Sequence, residues 1–140
     1  MKAILNKIGA VLAGFVVASL IMMLVESLNG RVFYPDLAKA AAGVTDRDVI
    51  RRIFASAPVG ALLVVILGWG LGGLAGGWVT GKLAGRSAHG AGLVLCALLT
   101  LAGVANNLML PPPLWFWVTS LVVMAASPLA GSRLPPASKT

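Results

Sequence analysis

Four apolar stretches, each about as long as a bilayer's hydrocarbon layer is thick, constrain this chain more than any other feature. A membrane-crossing helix needs about 20 mainly apolar residues, rising about 1.5 Å each. The stretches run from about Ile8 to Leu28, Ala57 to Leu83, Ala88 to Leu110 and Leu114 to Gly131. Between the first two lies a long connection, residues 29–56; the other connections are short. The expected fold class is all-α: a four-helix transmembrane bundle with a short amphipathic interfacial helix in the first loop. Residues 1–140 are read as one integral membrane domain.

Composition agrees with the membrane class. The chain is 59% hydrophobic and 11% charged, whereas a soluble domain carries about a quarter charged residues. The net charge is +7. Its basic residues flank the apolar runs and form no patch interleaved with aromatics. They therefore suit anionic lipid head groups, at about 1 kcal/mol per exposed Lys or Arg, and do not suggest a nucleic-acid partner. The single cysteine, Cys96, rules out a thiol pair within this chain. With one His, His89, it makes no usual zinc set. His89 reads as an interfacial residue at a helix start. Lys2 and Lys7 ahead of an apolar run resemble a signal peptide, but the run continues too far and no A-x-A site follows. An uncleaved first helix is expected.

Orientation follows from Lys and Arg in the loops. One side carries Lys2, Lys7, Lys82, Arg86, Arg133 and Lys139; the other carries Arg31, Lys39, Arg47, Arg51 and Arg52, a bias of six to five. This predicts a multi-pass inner-membrane protein with both termini cytoplasmic, although so slight a bias also leaves dual insertion open. In the first loop, Thr45-Asp-Arg-Asp48 fits a helix start signal. Val49, Ile50, Ile53 and Phe54 then share one face, and Arg47, Arg51 and Arg52 point elsewhere. That pattern predicts a helix lying on the membrane. Phe33-Tyr34-Pro35-Asp36 reads as an interfacial turn, with Tyr34 at the membrane surface.

The second stretch contains Gly68-Trp-Gly-Leu-Gly-Gly-Leu-Ala-Gly-Gly-Trp-Val-Thr-Gly81, which includes the spacing G-x-G-x-x-G. A dinucleotide loop needs a strand before it and an acid about 20 residues after it. Here the motif is embedded in a span, and no Asp or Glu follows Asp48. Four-residue spacing explains the glycines better. Gly68, Gly72 and Gly76 form one row; Gly73, Gly77, Gly81 and Gly85 form another. Each row lets a neighbouring helix approach closely. Two thin faces imply two close partners, one within the chain and the other potentially in another subunit. A glycine-lined cavity is the functional alternative.

Glu26 is the one acid within an expected span. It reads either as an interfacial carboxylate paired with Arg31 or Arg52, or as a proton or cation site. Asn106 and Asn107 precede three prolines, which close the third span; Trp115 and Trp117 then open the fourth at the depth of an aromatic belt. Glu26, Asn106 and Asn107 thus belong to one leaflet. With Tyr34, Ser56 and the Trp pair they could ring a polar pocket, or the Asn side chains only bond neighbouring helices.

The run "NNLMLPPPLWFW", supported by "FYP" after the first span, resembles uncharacterised small four-span proteins of bacterial inner membranes. The resemblance implies the architecture and no activity. With no nucleophile–base pair or metal cluster in view, no catalysis and no cofactor are expected. The leading reading is an accessory or interaction subunit, working with the bilayer and with another membrane protein or a second copy of itself. The alternative is a minimal transporter or channel with its polar site at Glu26, Asn106 and Asn107.

Overall fold

The computed structural model describes residues 1–135, so Lys139 of the basic set lies outside the described residues. Helix α1 spans Lys2–Leu28 and widens into a π-helical turn over Asn29–Phe33. Two short helices follow, α2 (Pro35–Ala41) and α3 (Arg47–Ala55), then α4 (Val59–Ala84). A 3-10 turn over Gly85–Ser87 leads into α5 (Ala88–Met109), and α6 spans Leu114–Arg133. The described residues are all-helical, without strands.

Three helical stretches are long and apolar enough to cross a membrane: Lys2–Phe33, Val59–Met109 and Leu114–Arg133. The middle stretch, 51 residues long, is broken inside. Gly85 has φ +52°, a conformation that glycine adopts without a Cβ clash, and it ends α4 before the 3-10 turn. Gly85 is therefore a helix terminator with open space around it, not the last member of a packing row as its spacing suggested.

Side-chain bonds give the directions of the helices. At one end of the α1–α4 pair, the Asn6 amide donates to Leu83 O and Thr80 Oγ1 donates to Ala10 O, each at 3.2 Å. At the other end, Asn29 Nδ2 donates to Ala61 O at 3.0 Å. α1 and α4 are thus antiparallel. α6 runs parallel to α4, with Ser127 beside Gly73 and Ser132 beside Gly81. α5 returns antiparallel to α6, where Asn107 Nδ2 meets Ser120 Oγ at 3.0 Å and Gly92 meets Ser132. Lys2, Lys7, Lys82, Arg86 and Arg133 gather at one end, and α2 and α3 cover the other.

α4 touches α1, α5 and α6, and its glycines explain how. Gly68, Gly72 and Gly76 face α1. A Cβ at Gly76 would lie 2.5 Å from Gly14 O, one at Gly72 2.8 Å from Ala18 O, and one at Gly68 2.8 Å from a Val25 methyl. Gly73, Gly77 and Gly81 face α6. A Cβ at Gly77 would lie 2.9 Å from Pro128 Cα, one at Gly81 2.9 Å from Ser132 Cα, and one at Gly73 3.0 Å from Ser127 Cβ. Both thin faces are filled from within the chain, so neither is left for another subunit, as the sequence reading had allowed. α6 comes this close although Pro128, inside it, lacks an N–H; the Pro128 carbonyl rests on Gly77, where a side chain would block it.

Inside lie Ala18, Leu95, Leu99, Trp69, Phe116 and Met124, while Leu12, Val16, Leu20, Leu67, Leu101, Val118 and Val122 point outward and are exposed. So broad an apolar exterior is foreign to a monomer in water and natural in lipid.

The covering loop differs from expectation in two places. Phe33-Tyr34-Pro35-Asp36 is a helix start, not merely a turn: Pro35 opens α2, where its missing N–H would have had no partner anyway. α3 is capped by Asp46 and not by Thr45; Asp46 Oδ1 accepts from Asp48 N at 2.9 Å and Val49 N at 3.0 Å. A carboxylate also suits the positive helix N-terminus better than a hydroxyl. α3 is amphipathic: Ile50 is buried, Val49, Ile53 and Phe54 are half-buried, and Arg47, Arg51 and Arg52 are exposed.

Candidate functional site

At the α2–α3 end, the helices border a half-open cavity of about 190 Å³. Its polar lining comes from Glu26 on α1, Asn29 on the π-helical turn, Tyr34, and Asn106 and Asn107 on α5. Its apolar lining includes Phe54 of α3, Leu62 and Val65 of α4, and Phe116 of α6. Leu37, Ala38 and Ala41 of α2 also border it.

The π-helical turn places the first of these groups. Glu26 and Asn29 are three residues apart and so share a helix face. The turn then closes with Tyr34 N donating to Asn29 O at 2.7 Å. One extra residue in the turn lets Gly30 and Tyr34 also reach the cavity. Tyr34 folds toward α4, where its hydroxyl abuts Gly60.

Glu26 finds a partner that the sequence reading did not name. Trp69 Nε1 donates to Glu26 Oε1 at 2.8 Å. No ion pair joins Glu26 to Arg31 or Arg52 among the described residues; the one salt bridge there links the exposed Lys39 and Asp36 at 3.9 Å. The reason is positional. Arg31 is exposed on the π-helical turn and Arg52 lies on the outer face of α3, whereas Trp69 is buried where α4 faces α1. Phe116 meets the Trp69 ring edge-on, centroids 5.8 Å apart, and helps hold the indole in place.

The two buried asparagines are locked by their donors. Ala61 O can only accept, so Asn29 must turn its NH₂ toward it. Ser120 spends its proton on Trp117 O at 3.2 Å, so Ser120 Oγ accepts from the Asn107 NH₂. Each amide oxygen is thereby left over. Asn29 Oδ1 and Asn107 Oδ1 are both buried and have no protein partner among the described residues. Asn107 is 0% exposed and Asn29 8%, and an unpaired buried acceptor carries a desolvation cost of about 1–3 kcal/mol. Two such groups bordering one cavity call for a donor.

The structure thus brings Glu26, Asn106, Asn107 and Tyr34 together around one space. It leaves out Ser56, Trp115 and Trp117. Ser56 is exposed and bonds to Ile53 O of its own helix, and Trp115 is exposed beside Phe116. Trp117 offers Ser120 its backbone carbonyl. The sequence reading missed Trp69, Asn29, Phe54 and Phe116. Trp69 had left a signal: an indole N–H in the middle of an apolar span must find an acceptor.

Elsewhere, Cys96 Sγ bonds to Ala125 O and His89 is exposed at the start of α5. Around the cavity, a carboxyl group and three asparagines meet an aromatic and aliphatic wall. No protein-family profile, curated protein or solved structure matches this chain.

Proposed function

We propose that this chain is a four-span integral membrane protein, non-catalytic, that binds a small solute in the Glu26 cavity and passes it across the membrane as a minimal transporter or channel. The supporting observation is the cavity itself: a carboxylate bonded by Trp69, on a space also bordered by two asparagines whose buried amide oxygens lack partners among the described residues. Residues that only pack against lipid have no need of such a polar arrangement, and the unpaired buried amide oxygens in it cost stability.

Counting α4 and α5 as separate crossings rests on the Gly85 break and on their lengths. With 26 and 22 residues, they span about 39 and 33 Å at 1.5 Å per residue, each close to a hydrocarbon layer of about 30 Å. The proposed setting is a bacterial inner membrane, with the basic end cytoplasmic and α2 and α3 at the opposite surface, the apolar face of α3 turned toward the bundle. The glycine faces offer no docking place to another subunit, because α1 and α6 occupy both within one chain.

Reconstituted protein tests the proposal. Liposomes carrying it should take up some members of a panel of radiolabelled small solutes faster than empty liposomes, and Glu26→Gln should remove that excess. Uptake equal to that of empty liposomes across the panel would reject transport. A reporter active only in the cytoplasm, fused at the C-terminus, should be active; a silent, well-expressed fusion would reverse the orientation.

A further inference from the structure

We propose that the cavity selects a primary or secondary ammonium ion carrying a compact apolar body. This rests on the reading of the cavity as the solute site and names the chemistry that the site recognises.

The hydrogen-bonding groups are biased toward acceptors. The Trp69 N–H is spent on Glu26, the Asn29 NH₂ on Ala61 O, and the Asn107 NH₂ on Ser120 Oγ. What remains at the cavity is the Glu26 carboxylate, with Asn106 and Tyr34, which can donate or accept; Asn29 Oδ1 and Asn107 Oδ1 are buried acceptors, unpaired among the described residues, on asparagines that border it. An ammonium group brings two or three N–H donors and the charge that a carboxylate prefers. Among the described residues no Lys or Arg lines the cavity to compensate an anionic ligand, which Glu26 would repel. A neutral alcohol satisfies one acceptor and leaves the others bare. A quaternary ammonium has the charge and no N–H, and a site built to pair with donors discriminates against a ligand lacking them.

The walls set the body of the ligand. Phe54, Phe116 and Tyr34 offer ring surfaces that attract a cation, and Leu62 and Val65 add aliphatic surface. The volume, about 190 Å³, is slightly above the roughly 150 Å³ that holds a benzene molecule. One ring or a short branched chain therefore fits beside the ammonium group.

The full chain in lipid nanodiscs, labelled at the tryptophan indoles, tests this by NMR. The Trp69 N–H resonance, assigned by its loss in Trp69→Phe, reports on the site alone and ignores probe that merely enters lipid. Four probes share one ring and differ in head group: phenethylammonium, its trimethylammonium analogue, 2-phenylethanol and phenylacetate. Phenethylammonium should shift the resonance at a concentration at least tenfold lower than either the alcohol or the trimethyl analogue needs, a gap of about 1.4 kcal/mol. Phenylacetate should leave it unmoved. Glu26→Gln, whose side-chain carbonyl can still accept from Trp69, should weaken phenethylammonium at least tenfold and the alcohol less than twofold. Equal binding of alcohol and ammonium, preference for the trimethyl analogue or for phenylacetate, or a Glu26→Gln effect shared by both probes would overturn the inference and leave a solute site standing. A resonance that no probe moves would overturn the site reading as well. The wild-type probe series decides the matter even if a variant folds poorly.

Discussion

Toward its basic end, α4 presents glycine to two neighbours; toward its other end it presents Leu62, Val65 and Trp69. In the first region the backbones of α1 and α6 come so close that an added Cβ would meet backbone atoms at Gly72, Gly76, Gly77 and Gly81. In the second, large side chains border a cavity. The same helices make both regions, so the difference lies in side-chain volume along one helix. Without a hydrophobic force between helices in lipid, close packing depends on thin surfaces. Where α4 stops being thin, the neighbours leave room for something else.

Breaking the glycine region should have the largest effect. Gly77→Leu drives a side chain into the Pro128 backbone and should abolish recovery of folded, monodisperse protein in mild detergent. Gly77→Ala should still fold. It costs about 1–3 kcal/mol of overpacking, offset in part by the roughly 1 kcal/mol that Ala gains over Gly in a helix. Gly9→Ala, with nothing within 4 Å of the added Cβ, should cost nothing. Unfolding in mixed micelles of increasing denaturing detergent would rank the three. Equal stability of Gly77→Ala and Gly9→Ala would remove the close-packing account.

The next effect belongs to the cavity region. Trp69→Phe and Glu26→Ala, combined in a double-mutant cycle, should couple by about 0.5–1.5 kcal/mol, the size of one net hydrogen bond. The bond joins α1 to α4 at the cavity end of the glycine row, beside the contact of Gly68 with Val25. Additive effects in the same unfolding assay would mean that it contributes nothing to holding the two helices.

This contrast also shows what could be read in advance. The glycine rows were legible because helical packing repeats at four residues, and spacing alone identifies both faces. Which partner fills each face was not, since period carries no address; it took the return of α6 parallel to α4. The cavity was half legible. Glu26, Asn106, Asn107 and Tyr34 stood out as polar groups in or beside apolar runs, and the turn at Pro111 to Pro113 put them at one level. Trp69 and Asn29 were passed over for opposite reasons: Trp69 counted as apolar bulk in a span, and Asn29 as the first residue of a loop. The π-helical turn had no signature in the sequence, and it is what keeps Asn29 on the helix and turned toward Ala61.

A smaller effect is expected in the cover. Asp46→Ala removes both bonds that cap α3 and should cost about 1 kcal/mol. Because α3 meets the rest of the molecule near the cavity and far from the glycine rows, the loss should be local. Amide exchange should quicken over Arg47–Ala55 and stay unchanged along Gly72–Gly81. Faster exchange in both would mean that the cover and the packed region unfold as one unit.

The smallest effect separates two kinds of unpaired polar atom. Ser127 Oγ is buried beside Gly73 without a partner among the described residues, as Asn29 Oδ1 and Asn107 Oδ1 are on asparagines that border the cavity. In the packed region there is no space for a ligand to satisfy it, so the hydroxyl there serves only as filler. Ser127→Ala removes an unsatisfied group and leaves a small void. The two terms oppose each other, and the stability change should fall within about 0.5 kcal/mol of zero. Phenethylammonium binding should not change. Asn107→Leu, by contrast, should weaken that binding, because it changes a polar residue that borders the cavity. If Ser127→Ala destabilised the protein by more than about 2 kcal/mol, the hydroxyl would have to be paired in the membrane. The division between a region closed by packing and a region open for binding would then not hold at that point.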